Sequence, residues 1–300
     1  MKHISVIVLA MTVAVTVVQA ANIDTAAAGN WTSTSTWSGG IVPGSADTAR
    51  LRHGVTLDSG VSSRTILRVG RTGQPSIPTL TISSGGSLAT FGNAIIADQL
   101  NGSLLINGGS LSVGDVLNIG SAASASGSAT VDSGSLSVVN LMRVGQFYNS
   151  TFTLNGGTVQ ARNMSIGTNS TFSLFGGSLT LTMATNAASV LLFSTVGSLL
   201  DIRNDAALNV GGNYVSTLDA AITAGRVDWS LGSSTLGSLY GTGDQTWGDG
   251  DGNYLHAFYD SGIERTVVWT DLVPVPEPSS ASLSLLAGVG LLFVRRRLKK

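Results

Sequence analysis

Apolar and polar residues alternate in short runs through the middle of the chain, and the runs return at a regular interval. Leu80/Ile82, Leu104/Ile106, Ala129/Val131, Phe152/Leu154 and Phe172/Leu174 each precede a glycine-containing turn. Leu88/Thr90, Leu111/Val113, Leu136/Val138, Val159/Ala161 and Leu179/Leu181 follow those turns. A third set comes next: Ala94/Ile96, Leu117/Ile119, Met142/Val144 and Met164/Ile166. Alternation over four or five residues predicts β-strands with one side-chain set facing inward and the other outward.

The turns between the first two sets are S-S-G-G-S-L, I-N-G-G-S-L, V-D-S-G-S-L, L-N-G-G-T-V and L-F-G-G-S-L. Their last glycines, Gly86, Gly109, Gly134, Gly157 and Gly177, are spaced by 23, 25, 23 and 20 residues. Glycine there supplies left-handed backbone without a steric cost. Ser84, Asn107, Asp132, Asn155 and Phe175 precede the pairs, and the four polar ones fit turn hydrogen bonding within and between coils. A second glycine set, Gly120, Gly145 and Gly167, closes the third strands. Three strands per repeat and a period near 23 residues predict an all-β chain, a single-stranded parallel β-helix of about six to eight coils. The β-helix repeats are expected over residues 61–230, with an irregular first coil over 61–79, regular coils from Leu80 to Leu181, and degenerate ones after it built from Val190–Phe193, Ser198–Ile202, Ala206–Val210 and Tyr214–Leu218.

Solenoids need covered ends. Residues 21–60 are expected to cap the start, with Trp31 and Trp37 over the core and Asp47, Arg50 and Arg52 solvated or paired. Carbohydrate stacking on the two tryptophans is the alternative. The segment G-N-W-T-S-T-S-T-W-S-G-G-I-V-P-G-S-A-D-T-A resembles the opening segment of exported bacterial β-helix proteins. Residues 231–273 form the closing cap, with strands near His256–Phe258 and Thr266–Trp269 and with Trp229, Trp247 and Trp269 packing the end. Within that cap Asp249, Asp251 and Asn253 give the D-x-D-x-N start of a calcium loop. Tyr254 occupies the sixth position where such a loop needs glycine, and Asp260 the twelfth where it needs glutamate. The stretch therefore reads as an acidic surface turn ahead of a calcium site, and no cofactor or metal is expected.

Charge narrows the partners. Residues 21–274 hold ten Arg, no Lys, fifteen Asp and one Glu. An acidic, lysine-free body argues against nucleic-acid binding. Arg64, Arg68 and Arg71 form its densest basic cluster, a solvated face or else a contact for an anionic glycan. With no cysteine, disulfides and thiolate chemistry are excluded. His53 and His256 stand far apart, and Asp98, Asp115 and Asp132 fall near turns of different coils. No hydrolase elbow, paired metal histidines or phosphate loop is present, so no catalytic residue is assigned.

The ends carry the targeting information. Met1–Ala20 has a short basic start, an apolar run from Ile4 to Val18 and V-Q-A before Ala21, a secretory signal peptide with cleavage expected between Ala20 and Ala21. At the other end Pro276-Glu277-Pro278 precedes an apolar run over residues 279–294, then Arg295, Arg296, Arg297, Lys299 and Lys300. The run predicts one short transmembrane helix whose basic end stays cytoplasmic. Residues 274–300 resemble the PEP-CTERM sorting signal of Gram-negative, exopolysaccharide-producing bacteria. That resemblance implies recognition by an exosortase, a membrane transpeptidase cutting at or near Pro276–Pro278. The expected protein is an exported, non-catalytic surface or extracellular-matrix protein associated with exopolysaccharide or biofilm. Its expected partners are the exosortase, the membrane and exopolysaccharide. The alternatives are a carbohydrate-binding adhesin using Trp31, Phe147 or Tyr148, and behind it a polysaccharide-degrading β-helix enzyme.

Overall fold

A computed structural model describes residues 20–61, 64–73, 75–147, 149–182, 191–193, 197–204, 206–229 and 245–272. Residues 1–19 of the expected signal peptide and the tail from residue 273 onward, including Pro276–Pro278, the expected transmembrane run and the basic cluster, lie outside the described residues. So do Tyr148 and the connection 183–190.

The described chain is a parallel β-solenoid of about eight coils whose strands stack on three faces. On the first face Val55–Leu57, Thr79–Ser83 and the start of Gly102–Val113 stack in register, followed by the start of Gly127–Val144, Thr151–Leu154, Thr171–Leu174 and Leu199–Ile202. The second face stacks Ser87–Thr90, the two long strands again, Thr158–Ile166, Ser178–Leu181 and Ala207–Gly211. The third begins at Asn22–Asp24 and continues through Thr48–Leu51, Ile66–Val69, Ala94–Ile96 and Leu117–Ile119 to Leu191–Phe193. At the usual strand spacing eight coils extend roughly 35–40 Å along the axis.

Register explains the core. Because side chains alternate, parallel in-register pairing puts like positions above one another. Leu80, Leu104, Ala129, Phe152, Phe172 and Leu200 form one inward column, and all are buried. Phe152 and Phe172 stack inside it with ring centroids 4.7 Å apart and planes 13° from parallel. Thr90 also points inward, and its hydroxyl is satisfied by the Gly92 carbonyl at 2.8 Å. A polar column at the approach to the first face, Ser150, Ser170 and Ser198, is buried as well. Ser150 Oγ accepts from the Gly127 amide one coil away, and Ser170 Oγ accepts from the Ser150 amide.

The corners require their glycines. An added Cβ at Gly134, Gly157 or Gly177 would stand 2.1–2.4 Å from the carbonyl oxygen of the glycine one coil below. These three residues also have φ between +68° and +90°.

Both ends are covered, but differently from a simple cap. Residues 22–24 and 29–30 already pair in parallel with the coils, so the opening segment contributes strands of its own. Trp31 and Trp37 are fully buried, edge to face at 4.9 Å, and Trp37 Nε1 donates to the Trp31 carbonyl. At the far end the strands Gln245–Gly248, Asn253–Asp260 and Arg265–Leu272 form an antiparallel meander. Its last strand pairs antiparallel with Ala207–Gly211 and ends the parallel stacking of the second face, while the first face closes on Val227–Asp228. Trp269 and Trp229 are buried there, and Trp247 packs against the core at its rim.

One predicted strand is not a strand. Tyr214–Leu218 opens the helix Val215–Thr223, with Tyr214 at its N-cap. Val215, Leu218 and Ile222, with Ala221, recur at three- and four-residue intervals, so a helix, not a strand, turns them all toward the core.

Candidate functional site

The three faces present different chemistry. Outward positions of the second face are Ser87, Ser110, Ser135, Thr158 and Ser178 in one column, and Ser112, Ser137, Gln160, Thr180 and Asn209 in the next. The first face is similar through Thr79, Ser103, Ser128, Thr151 and Thr171. The third face is charged: Asp24, Arg50, Arg68, Ile95, Asn118 and Arg143 follow one another in register.

Those arginines are engaged within the solenoid. Arg50 and Arg52 both reach Asp24. Arg68 and Arg71 share Asp98, one carboxylate oxygen each, at 2.9 and 2.5 Å. Arg143 donates to Asn118 at 3.3 Å. Arg64 does not join Arg68 and Arg71 in a basic patch. It lies in the second-face column, bridged to Thr90, only 4% exposed, with its guanidinium 5.7 Å from the Trp31 ring centroid. Burial pulls its pKa down, against the opposing field of Asp47. The expected basic cluster is thus two separate structures, one sealing the Trp31 end and one holding a corner. The buried Trp31 and Trp37 likewise present no open ring to a sugar.

The aspartates at the turns tie one coil to the next. Asp115 accepts from Asn140 at 2.7 Å, and Asp132 accepts from Asn155 at 2.8 Å. Asp249 also acts locally. Its Oδ1 accepts the amides of Asp251 and Asn253, and its Oδ2 accepts the Asn253 side chain. The Asn253 side chain, then these backbone donors, hold the Asp249 carboxyl below the usual carboxylate range. The D-x-D-x-N stretch is therefore the turn of the hairpin between Gln245–Gly248 and Asn253–Asp260. Among the described residues no group of three or more His, Asp or Glu is arranged to hold a metal ion.

A concavity with polar walls lies where the third face turns into the first. It is a groove of about 380 Å³. Asn101, Ser126, Asn149 and Asn169 line its corner side, one from each of four consecutive coils. Ser103, Ser128 and Thr151 line the strand side, and Ile77 stands at one end, 57% exposed. Ser103 and Ser128 exchange a hydrogen bond at 2.8 Å, and Asn101 Oδ1 accepts the Ser126 amide at 2.9 Å. Gly102 and Gly127 form the floor. An added Cβ at Gly127 would meet the Gly120 nitrogen at 2.6 Å, so the floor stays bare. No lining residue is charged.

The repeat contained a signal for this groove. Asn101, Ser126, Asn149 and Asn169 are spaced by 25, 23 and 20 residues, the same intervals as the last four turn glycines. Aligning the repeats on the glycines would have exposed the column. Phe147, the exposed aromatic residue named from the sequence, lies two residues before Asn149 on the same corner. Comparisons with protein-family models, with curated proteins and with solved structures return no match to this chain.

Proposed function

We propose that this chain is an exported, non-catalytic spacer of the bacterial surface or extracellular matrix. It is delivered by its signal peptide and sorted by an exosortase through Pro276-Glu277-Pro278. The observation that carries the reading is the division of labour along the chain. The tail holds a proline-bounded motif, an apolar run and a basic end. The body presents serine, threonine and asparagine columns on two faces, and its aspartates and arginines bind one coil to another. Such a surface is well hydrated and suits an environment rich in neutral polysaccharide. The apolar run of residues 279–294 would hold the precursor in the membrane, with Arg295, Arg296, Arg297, Lys299 and Lys300 on the cytoplasmic side.

The full chain, expressed in hosts with and without an exosortase, tests this directly. Only in the exosortase host should the body lose the mass of the tail and move from the membrane fraction to the surface or medium. Glu277→Ala should block both changes. Equal mass and location for wild type and variant in that host would overturn the sorting reading.

The uncharged groove favours a second reading, an adhesin for neutral oligosaccharides. Its amides and hydroxyls match the donors and acceptors of a sugar, and Ile77 offers an apolar contact. In that case the body, residues 21–273, binds such glycans saturably, and Asn149→Ala weakens binding by about 3–10-fold, the worth of one hydrogen bond. Absence of saturable binding on a glycan array would remove the adhesin and leave the spacer.

A further inference from the structure

The first strand of the solenoid is short and lies at an edge. Asn22–Asp24 is three residues long and sits at the edge of the third face, paired with Thr48–Leu51. Short edge strands fray. This one is held by polar groups at both of its ends. Asp24, at the C-terminal end, pairs with Arg50 and Arg52. Just before the strand, the Ala21 nitrogen lies 2.9 Å from Asp47 Oδ1, and the Ala21 carbonyl accepts the Thr48 amide at 2.8 Å. Asp47 is itself fixed, because its Oδ2 accepts the Gly44 amide at 2.6 Å.

Ala21 is also the residue that signal-peptide cleavage would make the first of the mature chain. We propose that Asp47 is the receptor for the new α-ammonium of Ala21, so that removal of residues 1–20 locks the first coil. This rests on the reading of Met1–Ala20 as a cleaved signal peptide. The covalent step is hydrolysis by the host signal peptidase. Water adds across the Ala20–Ala21 bond: its oxygen goes to the Ala20 carbonyl carbon, which leaves as a carboxylate, and both its protons end on the Ala21 nitrogen. Before the cut, a neutral amide donates to Asp47. Afterwards a cation does, and charge-assisted hydrogen bonds are the stronger kind. Export would then end by closing the open end of the solenoid.

The pH dependence has a defined sign. An α-amine ordinarily titrates at about 7.7–8.0, and a carboxylate beside it raises that value. The stabilisation is complete below the ordinary value and is lost as pH rises through the raised one. The other charged groups nearby are accounted for. Asp24 takes Arg50 and Arg52, His53 contacts the Thr25 hydroxyl, and Arg64 is the second cation in the field of Asp47.

The test uses the full chain, exported and processed, with its N-terminus read by mass spectrometry. Residues 21–274 contain no lysine, so after cleavage Lys299 and Lys300 of the tail are the only other primary amines, and peptide mapping separates their label from that on Ala21. The labelling profile against pH should give a pKa roughly 0.2–0.7 units higher in wild type than in Asp47→Asn, the equivalent of an exposed ion pair. Nα-acetylation should lower the melting temperature of wild type by about 1–3 °C and leave that of Asp47→Asn unchanged. Loss of the Gly44 contact alone would not move the amine titration. A mature chain that starts at Ala21 but titrates identically in both proteins overturns the latch and leaves the cleavage reading intact. A chain starting at any other residue overturns both.

Discussion

Phe152→Ala should lower the unfolding free energy by about 3–5 kcal/mol, the range for deleting a buried phenylalanine. The ring is fully buried, in register between Ala129 below and Phe172 above. Ala129 cannot fill the space, and Phe172 loses its stacking partner at 4.7 Å. Solenoid stability is close to a sum of coil terms and nearest-neighbour terms, so the loss falls on two interfaces at once. Denaturant unfolding read by circular dichroism would measure it through the midpoint at constant slope. A double-mutant cycle with Phe172→Ala should give a coupling of about 0.5–1.5 kcal/mol, the usual worth of an aromatic pair. Phe147, 59% exposed, is the control, and its replacement by alanine should stay within about 0.5 kcal/mol. A cost below about 1 kcal/mol at Phe152 would mean that the inward column is not packed as described.

Gly157→Ala is the second large effect. The residue has φ +75°, which costs an L-residue about 1–2 kcal/mol. Its added Cβ would also meet the Gly134 carbonyl oxygen at 2.4 Å, a backbone atom that cannot rotate away. Gly225 separates the two contributions. It has a similar φ of +66°, yet an added Cβ there meets nothing within 4 Å. Gly225→Ala should therefore show the conformational cost alone, and Gly157→Ala should exceed it clearly in the same melting experiment. Equal costs would show that the corner can open without penalty and that the glycine column is not needed for stacking.

Both predictions rest on features with different visibility in the sequence. The inward column was legible because alternation has period two and parallel pairing preserves position. Leu104, Ala129, Phe152 and Phe172 could be aligned from the glycine spacing alone, whereas Leu80 joins the column through a register shift at Ser83. The glycines themselves were legible as corners. The closeness of one coil's corner to the next was not, because it depends on the strand spacing in three dimensions.

Other features needed the fold. Arg64, Arg68 and Arg71 are near one another in sequence, but a corner lies between Arg64 and the rest. It sends Arg64 onto Trp31 and the other two onto Asp98, 30 and 27 residues away. The helix Val215–Thr223 was missed because a five-residue window can read as a strand while its apolar positions follow a helical interval over nine. The antiparallel closing meander gave no signal of direction, since strand alternation is the same either way.

What the chain's sequence determined by itself is therefore whatever repeats: the coil, its core column and its corners. Periodicity and short motifs are local properties, and they survive without coordinates. Only the tertiary structure decided which polar residues meet. Asn101, Ser126, Asn149 and Asn169, from four separate coils, line one groove, and Asp47 reaches Ala21 across 26 residues. Contacts between coils depend on where each corner turns, and a one-dimensional pattern does not carry that.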